Sequence, residues 1–82
     1  MQLRILTPEK KVFEGEVEKV TVPTRSGYIT ILGEHAPLVS AVSGGEIKVF
    51  TKDGQLSFMT ERGVVETRGS VTSILLRSCR EK

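Results

Sequence analysis

Hydrophobic and polar residues alternate along most of this chain with a period of two, which is the pattern of strands that bury one face. The alternating apolar pairs are Leu3 and Ile5, Val20 and Val22, Ile29 and Ile31, Ile47 and Val49, and Leu56 and Phe58. Helical periodicity is weak, although residues 36–43 could form a short helical turn. The pattern predicts an all-β flattened barrel or sandwich of about ten short, mostly antiparallel strands.

Turn residues separate these runs. Lys52-Asp53-Gly54 lies between two alternating segments, and Asp-Gly suits a type I′ hairpin turn in which both central residues have positive φ. A second hairpin is expected around Arg68-Gly69. Val17 is out of phase with the strand that follows it, which predicts a bulge or bend near Glu18-Lys19.

The length of 82 residues indicates one domain. We place its β-sandwich at residues 1–77 and a polar tail at 78–82, and we expect the chain to fray from Arg77 onward. The two strand phenylalanines, Phe50 and Phe58, are expected in the core.

Charge and cysteine content narrow the class of protein. The formal net charge is only +2, and acidic and basic residues interleave, so nothing demands a nucleic acid or an anionic membrane as partner. A single cysteine, Cys79, cannot form an internal disulfide, which favours a reducing compartment. Neither a signal peptide nor an apolar run of about 20 residues is evident, so we expect an intracellular soluble domain.

Candidate chemistry is sparse. A nucleophile formed by Cys79 and His35 would need a third group to orient the imidazole, and Cys79 lies in the charged tail. One His and one Cys do not make a zinc site, and Gly44-Gly45 lacks the Lys-Ser/Thr of a phosphate loop. Glu14, Glu16 and Glu18 fit solvated edge charges better than an acid/base pair. We therefore predict neither an active site nor a cofactor.

The segment Ile31–Val39 is the best candidate for a contact site. It places the only histidine, His35, and a proline, Pro37, among apolar residues. Pro37 restricts the residue before it to extended conformations, so the segment is pre-organised and loses less entropy on binding.

Several motifs then occur in the order and spacing of one family. They are Thr7-Pro8-Glu9, Phe13-Glu14-Gly15-Glu16-Val17, Val20-Thr21-Val22-Pro23, Ser26-Gly27, Ile31-Leu32, His35-Ala36-Pro37-Leu38, Gly63-Val64-Val65-Glu66-Thr67 and Val71-Thr72-Ser73-Ile74-Leu75. Each is weak alone. Together they resemble the N-terminal β-sandwich domain of the epsilon subunit of F-type ATP synthases, over essentially the whole chain.

The resemblance implies a non-catalytic subunit of the rotating central stalk. Such a subunit binds the gamma subunit, rests on the polar loops of the c ring, and reaches the catalytic alpha/beta head through the assembled complex. It would couple proton-driven rotation to ATP synthesis, peripheral to the bacterial cell membrane on its cytoplasmic side, without inserting into the membrane or binding nucleic acid. The positions implied at the interface are Gly27, Tyr28, Ile29, Thr30, Ile31, Leu32, Gly33, Glu34, His35, Ala36, Pro37, Leu38 and Val39.

The chain departs from the family at several positions. Gly33-Glu34 replaces the usual Pro-Gly, Tyr28 replaces an acidic residue, and Arg62-Gly63 replaces Gly-Gly. The sequence ends at Lys82, so we expect no C-terminal helical hairpin and neither the inhibition nor the ATP binding associated with it. The alternatives are a free-standing β-barrel module that binds nucleic acid or peptide, and a small hydrolase using His35.

Overall fold

A computed structural model describes residues 1–33 and 37–82. The described residues form ten strands: β1 Gln2–Leu6, β2 Lys11–Glu16, β3 Lys19–Thr24, β4 Gly27–Leu32, β5 Leu38–Val42, β6 Gly45–Thr51, β7 Gly54–Thr60, β8 Gly63–Arg68, β9 Val71–Leu76 and β10 Cys79–Glu81. They make two five-stranded sheets, with orders β2-β1-β9-β8-β5 (the first sheet) and β10-β7-β6-β3-β4 (the second sheet). The predicted β-sandwich of about ten mostly antiparallel strands is confirmed.

The connections between strands gather at two ends of the sandwich because successive strands reverse direction. At one end, called the upper end, the connections 7–10, 25–26, 43–44, 61–62 and 77–78 meet. There the Arg77 amide donates to the Arg62 carbonyl at 3.1 Å. At the lower end, the 17–18, 52–53 and 69–70 connections lie near Met1, whose carbonyl accepts a 2.8 Å hydrogen bond from the Val17 amide.

The core lies between the inward faces of the two sheets and follows the predicted alternation. Its buried members are Leu3, Ile5, Val17, Val20, Val22, Ile31, Val42, Ile47, Val49, Phe58, Val65, Ile74 and Leu76. Most of them are β-branched residues, which suit the pleated surface of a strand. Phe13 packs edge-to-face on Phe58, with ring centroids 6.1 Å apart, and joins the first sheet to the second.

Two hairpins in the second sheet share one local design, Thr-X-X-Gly. In the β3–β4 hairpin the Thr24 hydroxyl donates to the Gly27 carbonyl at 2.6 Å and accepts from the Ser26 amide at 3.2 Å. The Thr51 hydroxyl makes the equivalent pair of bonds in the β6–β7 hairpin. Gly54 there has φ of +140°, whereas every non-glycine residue of the described chain has negative φ. The hairpin is confirmed, but the predicted positive φ at Asp53 is wrong.

The phase change at Val17 marks the passage from the first sheet to the second. Val17 is buried in the junction between β2 and β3, and the next amide, that of Glu18, donates to the Phe50 carbonyl at 2.7 Å. The predicted irregularity near Glu18-Lys19 is therefore a crossing between sheets. The β8–β9 hairpin is also confirmed, with Gly69 at φ of +63°.

Three further sequence expectations differ from the structure. Of the predicted helical turn at 36–43, the described residues 37–43 form no helix; Leu38–Val42 is strand β5, since its alternate residues pack into the sandwich. The polar C-terminal residues expected to fray instead form β10, where Cys79 pairs with Thr60 of β7. Phe50 faces outward because it is in phase with Lys48 rather than with Val49.

One polar pair is buried in the core. Thr67 and Thr72 are opposite one another on β8 and β9, and the Thr72 hydroxyl donates to the Thr67 hydroxyl at 2.9 Å. Their hydrogen bond satisfies both groups away from water, which lets the sheet accept two hydroxyls in an otherwise apolar layer.

Candidate partner interface

Strand β4 carries the first half of the predicted interface and is the edge of the second sheet. Ile29 and Ile31 point inward, and Ile31 is fully buried. Tyr28 and Leu32 point outward and expose 60% and 55% of their surface. The predicted contact residues of β4 thus divide into a buried row that anchors the strand and an exposed row that can meet a partner.

The second half of the predicted interface crosses from one sheet to the other. Glu34, His35 and Ala36 are outside the described residues, so the roles expected for them stay predictions. After this segment Pro37 is exposed, and Leu38 is half-buried against the core. Val39 exposes 70% of its surface on β5, the edge strand of the first sheet.

Leu32 and Val39 therefore lie on the edge strands of different sheets, at the two sides of one connection. Edge strands leave backbone N–H and C=O groups available on their outer side, and an exposed apolar side chain beside them adds contact area. This arrangement can hold a partner through apolar contact and backbone hydrogen bonds.

The N-terminal residue anchors the lower end near this connection. The Met1 ammonium group donates to Glu16 Oε2 at 2.7 Å and to the Val17 carbonyl at 2.9 Å. A Cβ built on Gly33 would lie 3.9 Å from the Met1 nitrogen, so the end of β4 rests beside this anchored group. The lower end is consequently held by packing and by an ion pair.

Two of the carboxylates considered for acid/base chemistry, Glu14 and Glu16, contact cations. Glu14 accepts from Lys11 Nζ at 2.6 Å and lies 3.8 Å from Arg4. The hydrogen bond and charge of Lys11, with a smaller contribution from Arg4, lower the pKa of Glu14. Glu14 is therefore ionised at neutral pH and serves as a surface ion-pair partner.

Cys79, the other candidate reactive group, lies in β10 and is half-buried. Burial raises the pKa of its thiol, and the charge of Lys10 opposes that shift only in part. Less thiolate is present at neutral pH than for an ordinary cysteine, and the thiolate is the nucleophilic form. The proposed pairing with His35 involves a residue outside the described part of the chain.

Sequence reasoning missed one feature of the upper end. Arg25, Arg62 and Arg77, from three different connections, line one cleft of about 770 Å³, called the arginine cleft. Ala41 and Val64 also line it. The sequence places these arginines far apart, and the replacement of a family glycine by Arg62 was the only sign of a changed surface.

A second missed feature is an apolar row on the outer face of the first sheet. Ala41 pairs with Val64, Val64 with Leu75, and Leu75 with Leu6, so four apolar residues cross four adjacent strands. Val64 and Leu75 are exposed. The alternation in the sequence predicts that these side chains point outward, but it does not predict that they are neighbours, which depends on the parallel pairing of β1 with β9.

Across residues 1–33 and 37–82, no group of three or more His, Cys, Asp or Glu side chains is placed to hold a metal ion. That same part of the chain contains no helix long and apolar enough to cross a membrane.

The fold and its exposed edge strands define a small β-sandwich domain. Residues 1–82 match the family model of the ATP synthase delta/epsilon chain beta-sandwich domain. The chain belongs to this family, and the expected resemblance to the epsilon subunit's N-terminal domain is confirmed.

Similar curated proteins are epsilon chains of ATP synthase. The one from Bartonella quintana is 36% identical over 72 residues, covering 88% of this chain and 52% of the relative. The one from Ruminococcus albus is 37% identical over 75 residues, covering 90% and 56%. The chain thus spans a little more than half the length of these relatives.

Solved structures share the fold. A chain of the Euglena gracilis mitochondrial ATP synthase, in a structure of OSCP, F1 and c-ring, superposes with a TM-score of 0.90 at 18% identity, covering 96% of this chain and 51% of that one. A chain of the Tetrahymena thermophila mitochondrial ATP synthase central stalk and c-ring gives a TM-score of 0.82 at 17% identity, covering 96% and 64%.

Proposed function

We propose that this chain is a non-catalytic rotor subunit in the central stalk of an F-type ATP synthase. In this role it binds the gamma subunit, contacts the polar loops of the c ring, and helps to couple proton-driven rotation to ATP synthesis. It meets the catalytic alpha/beta head only through the assembled complex. Its place is peripheral to the bacterial cell membrane, on the cytoplasmic side.

The observation that carries the proposal is the family match over residues 1–82. The exposed apolar residues Leu32 and Val39 support it, since they flank the connection that we expect to meet gamma and the c ring. The similar chains of known structure occur in ATP synthases, which agrees with a role in such an assembly.

The sandwich also meets the mechanical demand of the role. A rotor subunit must transmit torque between two partners without deforming, and tightly packed protein interiors have low compressibility. Two sheets share one buried core, and one edge strand of each sheet remains available for contact. Burying a largely exposed valine or leucine on binding contributes about 1–2 kcal/mol.

The test is a pull-down and titration of this chain with recombinant gamma subunit from the same organism. We expect a complex at micromolar concentration, and we expect Val39→Thr to weaken it about three- to tenfold, because the substitution places a hydroxyl in an apolar contact. Val71→Thr is the matched control, since Val71 is another exposed valine of the first sheet.

Absence of a complex with the wild-type chain at micromolar concentration would refute the proposal. Equal weakening by Val39→Thr and Val71→Thr would refute the placement of the interface. If the chain does not bind gamma but binds single-stranded oligonucleotide in a salt-dependent way, the alternative of a nucleic-acid-binding module is favoured.

A further inference from the structure

We propose that the arginine cleft is a docking site for an acidic segment of a partner protein. Carboxylates of that segment would bind the guanidinium groups of Arg25, Arg62 and Arg77, and an aliphatic side chain would cover Ala41 and Val64. This inference does not depend on the proposed contact with gamma, because it rests on the three arginines and on ionic chemistry, although the cleft adjoins the β5 edge through Ala41.

The cleft concentrates positive charge. Its three arginines come from the 25–26, 61–62 and 77–78 connections, and among residues 1–33 and 37–82 no acidic side chain lines it. The salt bridges found among residues 1–33 and 37–82 use other cations: the Met1 ammonium, Arg4, Lys11, Arg68 and Lys82. Converging like charges in a cleft create a potential that attracts anions, and guanidinium forks bind carboxylates with two parallel hydrogen bonds.

The cleft also offers apolar surface. Ala41 and Val64 are cross-strand partners that line it, and both are exposed. The apolar row continues from Val64 to Leu75, which exposes half of its surface. A ligand that satisfies both features must carry negative charge and aliphatic groups together.

An acidic peptide fits this description better than other anions. Inorganic phosphate would leave the apolar floor uncovered. Single-stranded nucleic acid binds through aromatic side chains on which bases stack, and none of the described residues that line the cleft is aromatic.

The backbone around the cleft is fixed before any ligand arrives. The hydrogen bond from the Arg77 amide to the Arg62 carbonyl, 3.1 Å long, ties two of the connections together. Gly63 follows Arg62 and lies so close to Leu75 and Leu76 that a Cβ on it would overlap the Leu75 carbonyl oxygen. A pre-formed backbone lowers the ordering cost of binding.

The probe is a fluorescein-labelled, end-capped peptide of alternating glutamate and leucine, titrated with the full chain and followed by fluorescence anisotropy. We expect saturable binding that weakens about threefold or more in Arg62→Gln and in Arg77→Gln. The triple variant R25Q/R62Q/R77Q should lose about thirtyfold. Val64→Thr should weaken binding about two- to threefold, since only the apolar contact changes.

The matched control is Arg68→Gln, which removes the same charge from an exposed position at the lower end. It should leave the affinity nearly unchanged, and a peptide with glutamine in place of glutamate should not bind. Thermal unfolding of each variant verifies that the exposed substitutions leave the sandwich folded.

Several results would overturn the inference. They are no binding to the wild-type chain, equal binding by the triple variant, equal loss in Arg68→Gln, and equal binding of the glutamine peptide. Arginine-dependent binding of inorganic phosphate or of phosphatidylglycerol vesicles, without peptide binding, would also overturn it. Failure here leaves gamma binding untouched, because the pull-down with Val39→Thr changes none of the three arginines of the cleft.

Discussion

At the residue scale, the threonine pair in the core shows how strongly a single hydrogen bond depends on its surroundings. Thr72 donates to Thr67 at 2.9 Å, and both side chains are almost completely buried. A buried hydroxyl that loses its partner retains its desolvation cost, whereas removal of both hydroxyls removes that cost as well.

We therefore expect Thr72→Val alone to lower the free energy of unfolding by about 1–2 kcal/mol, because it leaves the Thr67 hydroxyl unpaired. The double variant T67V/T72V should recover most of that loss. Urea unfolding at 25 °C of the wild type, the two single variants Thr67→Val and Thr72→Val, and the double variant measures both effects. A double variant with the summed loss of its two single variants would contradict this account.

Gly63 is needed for steric reasons. A Cβ at this position would overlap the Leu75 carbonyl oxygen and lie 2.8 Å from Leu76 Cδ2. Gly63→Ala should therefore lower the free energy of unfolding by about 3 kcal/mol. Gly15→Ala is the control, since its new Cβ meets the Phe13 ring at an ordinary 3.5 Å and should change stability by less than about 1 kcal/mol. Equal effects in thermal or urea unfolding would show that Gly63 is not tightly packed.

At the element scale, most core strands could be predicted from the sequence, whereas the C-terminal edge strand and the arginine cleft could not. Alternation identified β1, β3, β6 and β7, since each buries one face against the other sheet. It could not identify β10, because polar residues at a sheet edge look like a solvated tail. Strand β4 of the candidate interface could be predicted from the same alternation as the core strands. The arginine cleft could not be predicted, because its arginines converge only once the sheets are assembled.

The C-terminal strand provides a test at this scale. Deleting residues 79–82 removes the pairing of β10 with β7, including the 2.8 Å bond from the Lys82 amide to the Ser57 carbonyl. We expect the free energy of unfolding to fall by about 2 kcal/mol, as several edge hydrogen bonds are lost. An unchanged melting temperature would support the fraying expected from the sequence.

A control separates the strand from its charge. Lys82 hydrogen-bonds Glu46 at 3.3 Å, and this hydrogen bond lowers the pKa of Glu46. Lys82→Gln should leave stability almost unchanged, because exposed ion pairs contribute little. Whatever stability the pair provides is present at neutral pH and is lost as pH falls through the lowered pKa of Glu46.

At the scale of the whole molecule, the two candidate surfaces meet on strand β5. The exposed residues Leu32 and Val39 lie on the β4 and β5 edges, while the arginine cleft occupies the upper end beside Gly44. One core supports both surfaces, and Ala41 of the cleft lies two residues from Val39 on the same outward face of β5.

The most direct test of the central claim is amide hydrogen exchange of the full chain, alone and with saturating gamma subunit. The account predicts slower exchange in peptides that cover Gly27–Leu32 and Leu38–Val42, the two edge strands beside the connection. Peptides from β2 and β10, the opposite edges, should exchange at unchanged rates and so serve as the internal control. Unchanged exchange throughout the chain, or protection confined to β2 and β10, would contradict it.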